Sequence, residues 1–286
     1  MTCACGSSVH LLAEGDSADK VAVADLSAQA KEQSGPRAEL TKAKVKELRA
    51  EITAADVMAR ALGQSRQSLL DVLETALSMT SPEALLAMPR DTLADFVLQA
   101  GFGLTIDDFI EQSDRVAAAA LEAIQVLEPT ATTASVQAQL DSFRVAAVDS
   151  VFQDVIIPDT TKAIREALQG MSLGVPLKAS MSALSAQLER SEGRQLTEVK
   201  TKIASYGRQV TAAVGESAGL DLYLYTGPRD GITRAFCKPL INLPVKLSGG
   251  GYNCRHSWSP VSQGFVDAAG LTMADAADIA KANSGA

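Results

Sequence analysis

At 286 residues the chain is long enough for one or two domains with a sizeable core, and its net charge of −8 argues against a general DNA-wrapping role, which needs local positive charge. Abundant alanine and only 4% aromatic residues fit helices packed through small side chains better than a bulky-cored β-sandwich. No run approaches the roughly eighteen apolar residues of a membrane span, and MTCACGSSVHLLAEGD at the start lacks the basic and long apolar stretches of a secretion signal, so a soluble protein made in a reducing cytoplasm is expected.

Residues 1–38 mix Gly, Ser, Asp and Ala and end near Ser34-Gly35-Pro36. They are expected to form a mobile segment with some helix between Ala18 and Gln33. Cys3 and Cys5 stand too close together for the usual structural zinc pair. A helical domain is expected over 39–157. Its first helix, 39–62, follows a stripe of Leu40, Val45, Leu48, Ile52, Val57 and Leu62, with Lys42, Lys44, Lys46, Glu47 and Arg49 facing water. Gly63 separates it from a second helix over 65–79.

Ser81 and Pro82 then form a cap-and-start pair. Pro89 stops that short piece, Asp91 caps the next, and Gly101-Phe102-Gly103 ends it. Thr105 opens a strong helix with Ile106, Phe109, Ile110, Val116, Leu121 and Ile124 inward, closed by Pro129. Thr133 begins another. Pro158 should kink or break it, because proline lacks the N–H a helix interior uses, and it resumes to Leu168. Gly170 and Gly174 bracket a turn before two more helices, over 180–192 and 195–215. No fixed-period repeat supports a solenoid.

The only persuasive strand pattern is Leu222-Tyr223-Leu224-Tyr225, bounded by Gly227-Pro228. A second short strand over 243–247, before Gly249-Gly250-Gly251, could pair with it as a long-looped hairpin. The chain is expected to end in a tail, 262–286, with a short helix opening at Thr272 and Asp275 at its capping-box position. The expected fold is therefore mainly α, a multi-helix body followed by a small α+β, Cys/His-rich C-terminal module.

That late module concentrates the chemistry. Cys237, Cys254 and His256 are candidate ligands for a structural zinc, with Asp230 as candidate fourth ligand. Plain packing of the same residues and a Cys237–Cys254 disulfide are the alternatives. Asp230, Thr233 and Arg234 read as a turn, the carboxylate accepting backbone N–H bonds and Arg234 pairing with it or with a helix C-terminus. Arg229, Arg234, Lys238, Lys246 and Arg255 against Asp221 and Asp230 give 221–261 a local balance of about +3 on an otherwise acidic chain. Pairing between these surfaces, within or between subunits, is the plain reading of that asymmetry; contact with DNA is the other. No nucleophile elbow, P-loop, HExxH or dinucleotide fingerprint is found, so no cofactor beyond zinc and no complete catalytic set is expected.

The order Tyr225, Gly227, Asp230, Thr233, Arg234, Cys237, then a Gly-rich gap and Gly251, Asn253, Cys254, Arg255, His256, Trp258, Pro260, resembles the Mu F-like head morphogenesis domain of tailed-phage minor capsid proteins. The resemblance covers about 158–260, roughly a third of the chain. Many family members end the second motif in Cys-Arg-Cys, where this chain has Cys254-Arg255-His256; the exchange keeps a ligand at the third position and mildly favours metal over disulfide. The resemblance implies a virion structural protein of low copy number inside the head near the portal. Its partners would be the portal or major capsid protein and sister copies, DNA contact would run through 221–261, and no membrane would be involved. It also implies residence in the host cytoplasm during assembly and supplies no catalytic set. A head–tail connector or ejected internal protein is the nearest alternative. A nuclease- or transferase-type enzyme using Asp230, Arg234 and His256 is the more distant one.

Overall fold

The computed structural model describes residues 12–227, 244–245, 257–275 and 277, which are mainly helical with a small antiparallel sheet near the C-terminal end. Helix α1 (Leu12–Glu32) covers the stretch between Ala18 and Gln33 where some helix was expected and begins earlier in the chain. Its Ala22 and Leu26 are buried against Val45 and Leu48 of α2 (Gly35–Met79), and this packing supplies the tertiary support that an isolated helix lacks. Between the helices Gly35 takes φ 60°, a left-handed conformation open to glycine without a Cβ penalty. Pro36 follows in the first turn, where its missing N–H costs nothing.

Helix α2 runs through Gly63 as a single 45-residue element, so the break expected there does not occur. One glycine costs a helix about 1 kcal/mol, which burial of Ala61, Leu62 and Leu69 around it offsets. Helix α3 (Pro82–Leu86) starts as read, with Ser81 Oγ accepting the Ala84 N–H at 3.2 Å. Pro89 occupies the cap of α4 (Arg90–Val97), which leaves Asp91 in the first turn instead of capping it. The chain then kinks over Leu98–Phe102, where Gly101 takes φ 127°, and continues as α5 (Gly103–Gln125).

Helix α6 (Gln137–Val148) begins later than Thr133 and passes through a π-helical stretch, Asp149–Ile156, into α7 (Ile157–Ser172). Pro158 does not break this path: Ile156 (φ −66°, ψ −53°) and Ile157 (φ −64°, ψ −47°) keep helical angles. The π-helical stretch shifts the hydrogen-bond register ahead of the ring, and the proline falls in a first turn that needs no N–H. The turn at Gly174 (φ 91°) is a Schellman cap, with Val175 N–H bonded to Gly170 O at 3.0 Å and Gly174 N–H to Met171 O at 2.9 Å. Helix α8 (Leu177–Ser217) follows as one 41-residue element where two were expected.

Strands β1 (Leu222–Thr226), β2 (Pro244–Val245) and β3 (Ser257–Val261) form an antiparallel sheet in the order β2-β1-β3. The anticipated pairing is present as Tyr223 opposite Val245 and Leu224 opposite Pro244. The pairing of β3 along the whole of β1, from Leu222–Val261 to Thr226–Ser257, was not anticipated. Helix α9 (Gln263–Ala268) then starts at Ser262, whose Oγ accepts the Phe265 N–H at 3.1 Å. Residues 271–275, at the start of the helix expected from Thr272, are not helical, Ala277 is, and the rest of that expected helix lies outside the described residues.

By contacts the chain forms two units, one of Met1–Ile52, Asp114–Phe143 and Ala204–Ala286, the other of Thr53–Ser113 and Arg144–Ile203. The units interleave along the chain, whereas the sequence reading divided it serially at 38, 157 and 261. The first unit holds a core of Ile124, Leu140, Tyr206, Val210 and Val214. A second cluster there joins Leu40 of α2 to Leu222, Leu224, Val261, Phe265 and Val266. In the other unit Phe109 and Phe152, both fully buried, meet edge to face with centroids 5.8 Å apart.

Candidate functional site

Of the residues singled out in the late module, Tyr225, Gly227, Trp258 and Pro260 fall within the described chain. Asp230, Thr233, Arg234, Cys237, Gly251, Asn253, Cys254, Arg255 and His256 lie outside the described residues, and with them the zinc, disulfide and packing alternatives. Among the described residues no group of three or more His, Cys, Asp or Glu could hold a metal ion.

The four described positions come together on one small sheet. Alternation along β1 sends Leu222 and Leu224 into the cluster with Leu40 and Tyr225 to the other face. Tyr225 is 1% exposed and lies opposite Trp258, with ring centroids 4.4 Å apart and planes tilted by 45°; such cross-strand aromatic pairs stabilise a sheet beyond their buried area. On the opposite face, with Leu222 and Leu224, the buried hydroxyls of Thr226 and Ser259 are 3.2 Å apart. Gly227 is buried, and its carbonyl accepts a bond from Gln29 Nε2 of α1 at 3.4 Å. Pro260 packs on α8 at Gly215, where a Cβ would come within 2.6 Å of the Pro260 Cβ and closer still to its Cγ. Strand β3 thus lies against helix backbone, and only glycine at 215 allows it.

A second constellation lies in the same unit on α2. Lys44 and Glu47, read from sequence as water-facing, are each 5% exposed, with Lys44 Nζ 2.5 Å from Glu47 Oε2. One turn further on, Glu51 keeps some exposed surface, yet its carboxyl is pushed up from 4.5 to about 7. Burial is the main cause and the Glu47 carboxylate the next; Arg208 and Lys44 pull the other way, and Asp19 adds a smaller upward push. On α8, Gly207 gives Val116 of α5 room beside this cluster: a Cβ there would lie 2.8 Å from Val116 Cγ1 and 3.9 Å from Glu47 Oε1. A carboxyl titrating near neutrality marks a reactive site when it sits in a cleft beside a reacting partner. Here the neighbours are charges on α1, α2 and α8, and the arrangement is an internal charge network.

The sequence reading missed Gly207, Gly215, Gln29 and Ser259 as determinants of this region, as well as the burial of Lys44 and Glu47. Glycines at 207 and 215, eight apart in a long helical pattern, were the available signal, since a helix tolerates glycine only at a cost. Comparison of the chain with family models, curated proteins and solved structures finds no match. Among the described residues no helix is long and apolar enough to cross a membrane.

Proposed function

We propose that the chain is a structural protein of a tailed-phage virion, a minor capsid or head morphogenesis protein associated with the portal or head interior. The observation that carries this reading is the motif pair, together with the meeting of its outer ends. Tyr225 of the first motif and Trp258 and Pro260 of the second stand on adjacent strands, with Tyr225 and Trp258 in ring contact and Gly227 directly after the first strand. The meeting of these described outer ends on one sheet supports reading the two motifs as one module. The long helices α2 and α8 offer extended surfaces suited to portal, capsid and sister-copy contacts. The basic 221–261 stretch is the part suited to DNA. In this role the sheet is an anchor, and the protein aids head assembly or DNA packaging and delivery.

Quantitative proteomics of purified particles tests the proposal. The expected result is a low, fixed number of copies per particle, with density at the portal vertex or inside the head. Abundance in infected-cell lysate with absence from purified particles overturns it.

A further inference from the structure

In the second contact unit a small cavity is lined by Thr160 of α7, by Glu192 and Gln195 of α8, by Arg66 of α2, and by apolar walls that include Leu62 and Phe102. Thr160 is 1% and Gln195 5% exposed, yet neither Thr160 Oγ1 nor Gln195 Nε2 has a protein hydrogen-bond partner. Arg66 and Glu192 at the same cavity bond to each other. Thr160 also departs from its own kind: Thr41, Thr75, Thr197, Thr201 and Thr211 each donate to the carbonyl four residues back. The residue four back from Thr160 is Ile156, which closes the π-helical stretch.

We propose that this cavity is a structural water site, one water bridging Thr160 Oγ1 and Gln195 Nε2 and so tying α7 to α8. The size fits. The free space is about 10 Å³, close to the roughly 10–15 Å³ that a single water needs. The chemistry fits as well. An amide N–H needs an acceptor and the Thr160 hydroxyl can donate or accept, which suits water and disfavours a cation. Should the Gln195 amide be turned the other way round, water donates to its oxygen instead, and the bridge survives. Two unmatched buried polar groups beside one water-sized space are the arrangement that ordered internal waters satisfy.

Thr160→Val and Gln195→Met, which keep approximate volume and remove the polar atoms, discriminate the possibilities when made singly and together in the full chain and followed by urea unfolding. If one water serves both groups, each single variant lowers the folding equilibrium constant roughly five- to ten-fold. The double variant then loses little more than either single, because the same water is lost once. Unchanged or increased stability of the singles overturns the proposal, since removing a truly unsatisfied group relieves a penalty; full additivity in the double overturns it too. A crystal structure of the unaltered protein carries a separate readout: ordered density within hydrogen-bond distance of both atoms is expected, and an empty, well-defined cavity counts against the site.

Discussion

On one side of α2, Glu51 makes the interior of the first unit sensitive to pH. Lys44 and Glu47 are a tight buried pair, and Glu51 beside them has its carboxyl raised from 4.5 to about 7, chiefly by burial. A carboxyl held above its unfolded value binds a proton more tightly when folded. The stability it contributes is complete below about pH 4.5 and is lost as pH rises through 7. Glu51→Gln keeps the neutral shape at every pH. It should therefore leave stability near pH 4.5 almost unchanged and raise it at pH 8, by at most about 3 kcal/mol, because water reaches part of the side chain. Urea unfolding of both proteins from pH 4.5 to 8 measures this; parallel pH curves for variant and parent would refute it. The pair itself gives a sharper test. Lys44→Met strands the Glu47 carboxylate in a buried site and should cost about 3–5 kcal/mol, while Lys44→Met with Glu47→Leu should recover most of that loss. A single variant as mild as an ordinary surface substitution would mean that Arg208 or water already carries Glu47.

At the scale of elements, what was legible depended on whether the signal was local. Ser81-Pro82 and Gly174 announce a helix start and a helix end through their own chemistry, and both features stand where they were read. The strand at Leu222 was equally local. Gly63 and the residues near Gly193 looked like breaks because propensity is summed along the chain, but tertiary burial decided otherwise, and α2 and α8 each run on unbroken. Strand β3 was illegible for a related reason: Ser257-Trp258-Ser259-Pro260 has weak strand character, and its pairing with β1 comes from thirty-odd residues away. Lys44 and Glu47 escaped notice because a charged residue is read as wet unless its partner is known.

Two glycines turn this contrast between local and tertiary control into predictions of opposite sign. A Cβ at Gly63 meets nothing within 4 Å, so Gly63→Ala should stabilise by about 0.5–1 kcal/mol through helix propensity alone. A Cβ at Gly215 collides with the Pro260 ring. Gly215→Ala should therefore destabilise by about 1–3 kcal/mol despite the same gain in propensity, with early loss of the near-ultraviolet signal of Tyr225 and Trp258. Thermal melts of the two variants with matched circular dichroism decide the matter; equal shifts in the same direction would mean that β3 does not rest on α8.

For the whole molecule, the interleaving of segments bears on what can fold alone. The serial division read from the sequence starts a module at 158 and ends it at 261, ahead of a tail over 262–286. The module's sheet is nevertheless completed from far upstream. Leu40, 1% exposed, sits in the cluster with Leu222, Leu224, Val261 and Phe265, and Gln29 of α1 holds the Gly227 carbonyl. Residues 114–143 supply Ile124 and Leu140 against Tyr206, Val210 and Val214. A fragment starting at 158 loses all of these partners and exposes the apolar faces they cover. It should retain helix, since α8 is long, but melt without a cooperative transition and exchange the amides of β1 rapidly. In the intact chain Leu40→Ala should reproduce part of this loss, about 2–4 kcal/mol, and weaken protection of β1 and α9 more than that of the second unit. Hydrogen exchange read by mass spectrometry on the fragment, the variant and the intact protein distinguishes these outcomes. A fragment from 158 that melts as sharply as the intact chain would show that the module owes nothing to α1 and α2, and that the serial division was the right one.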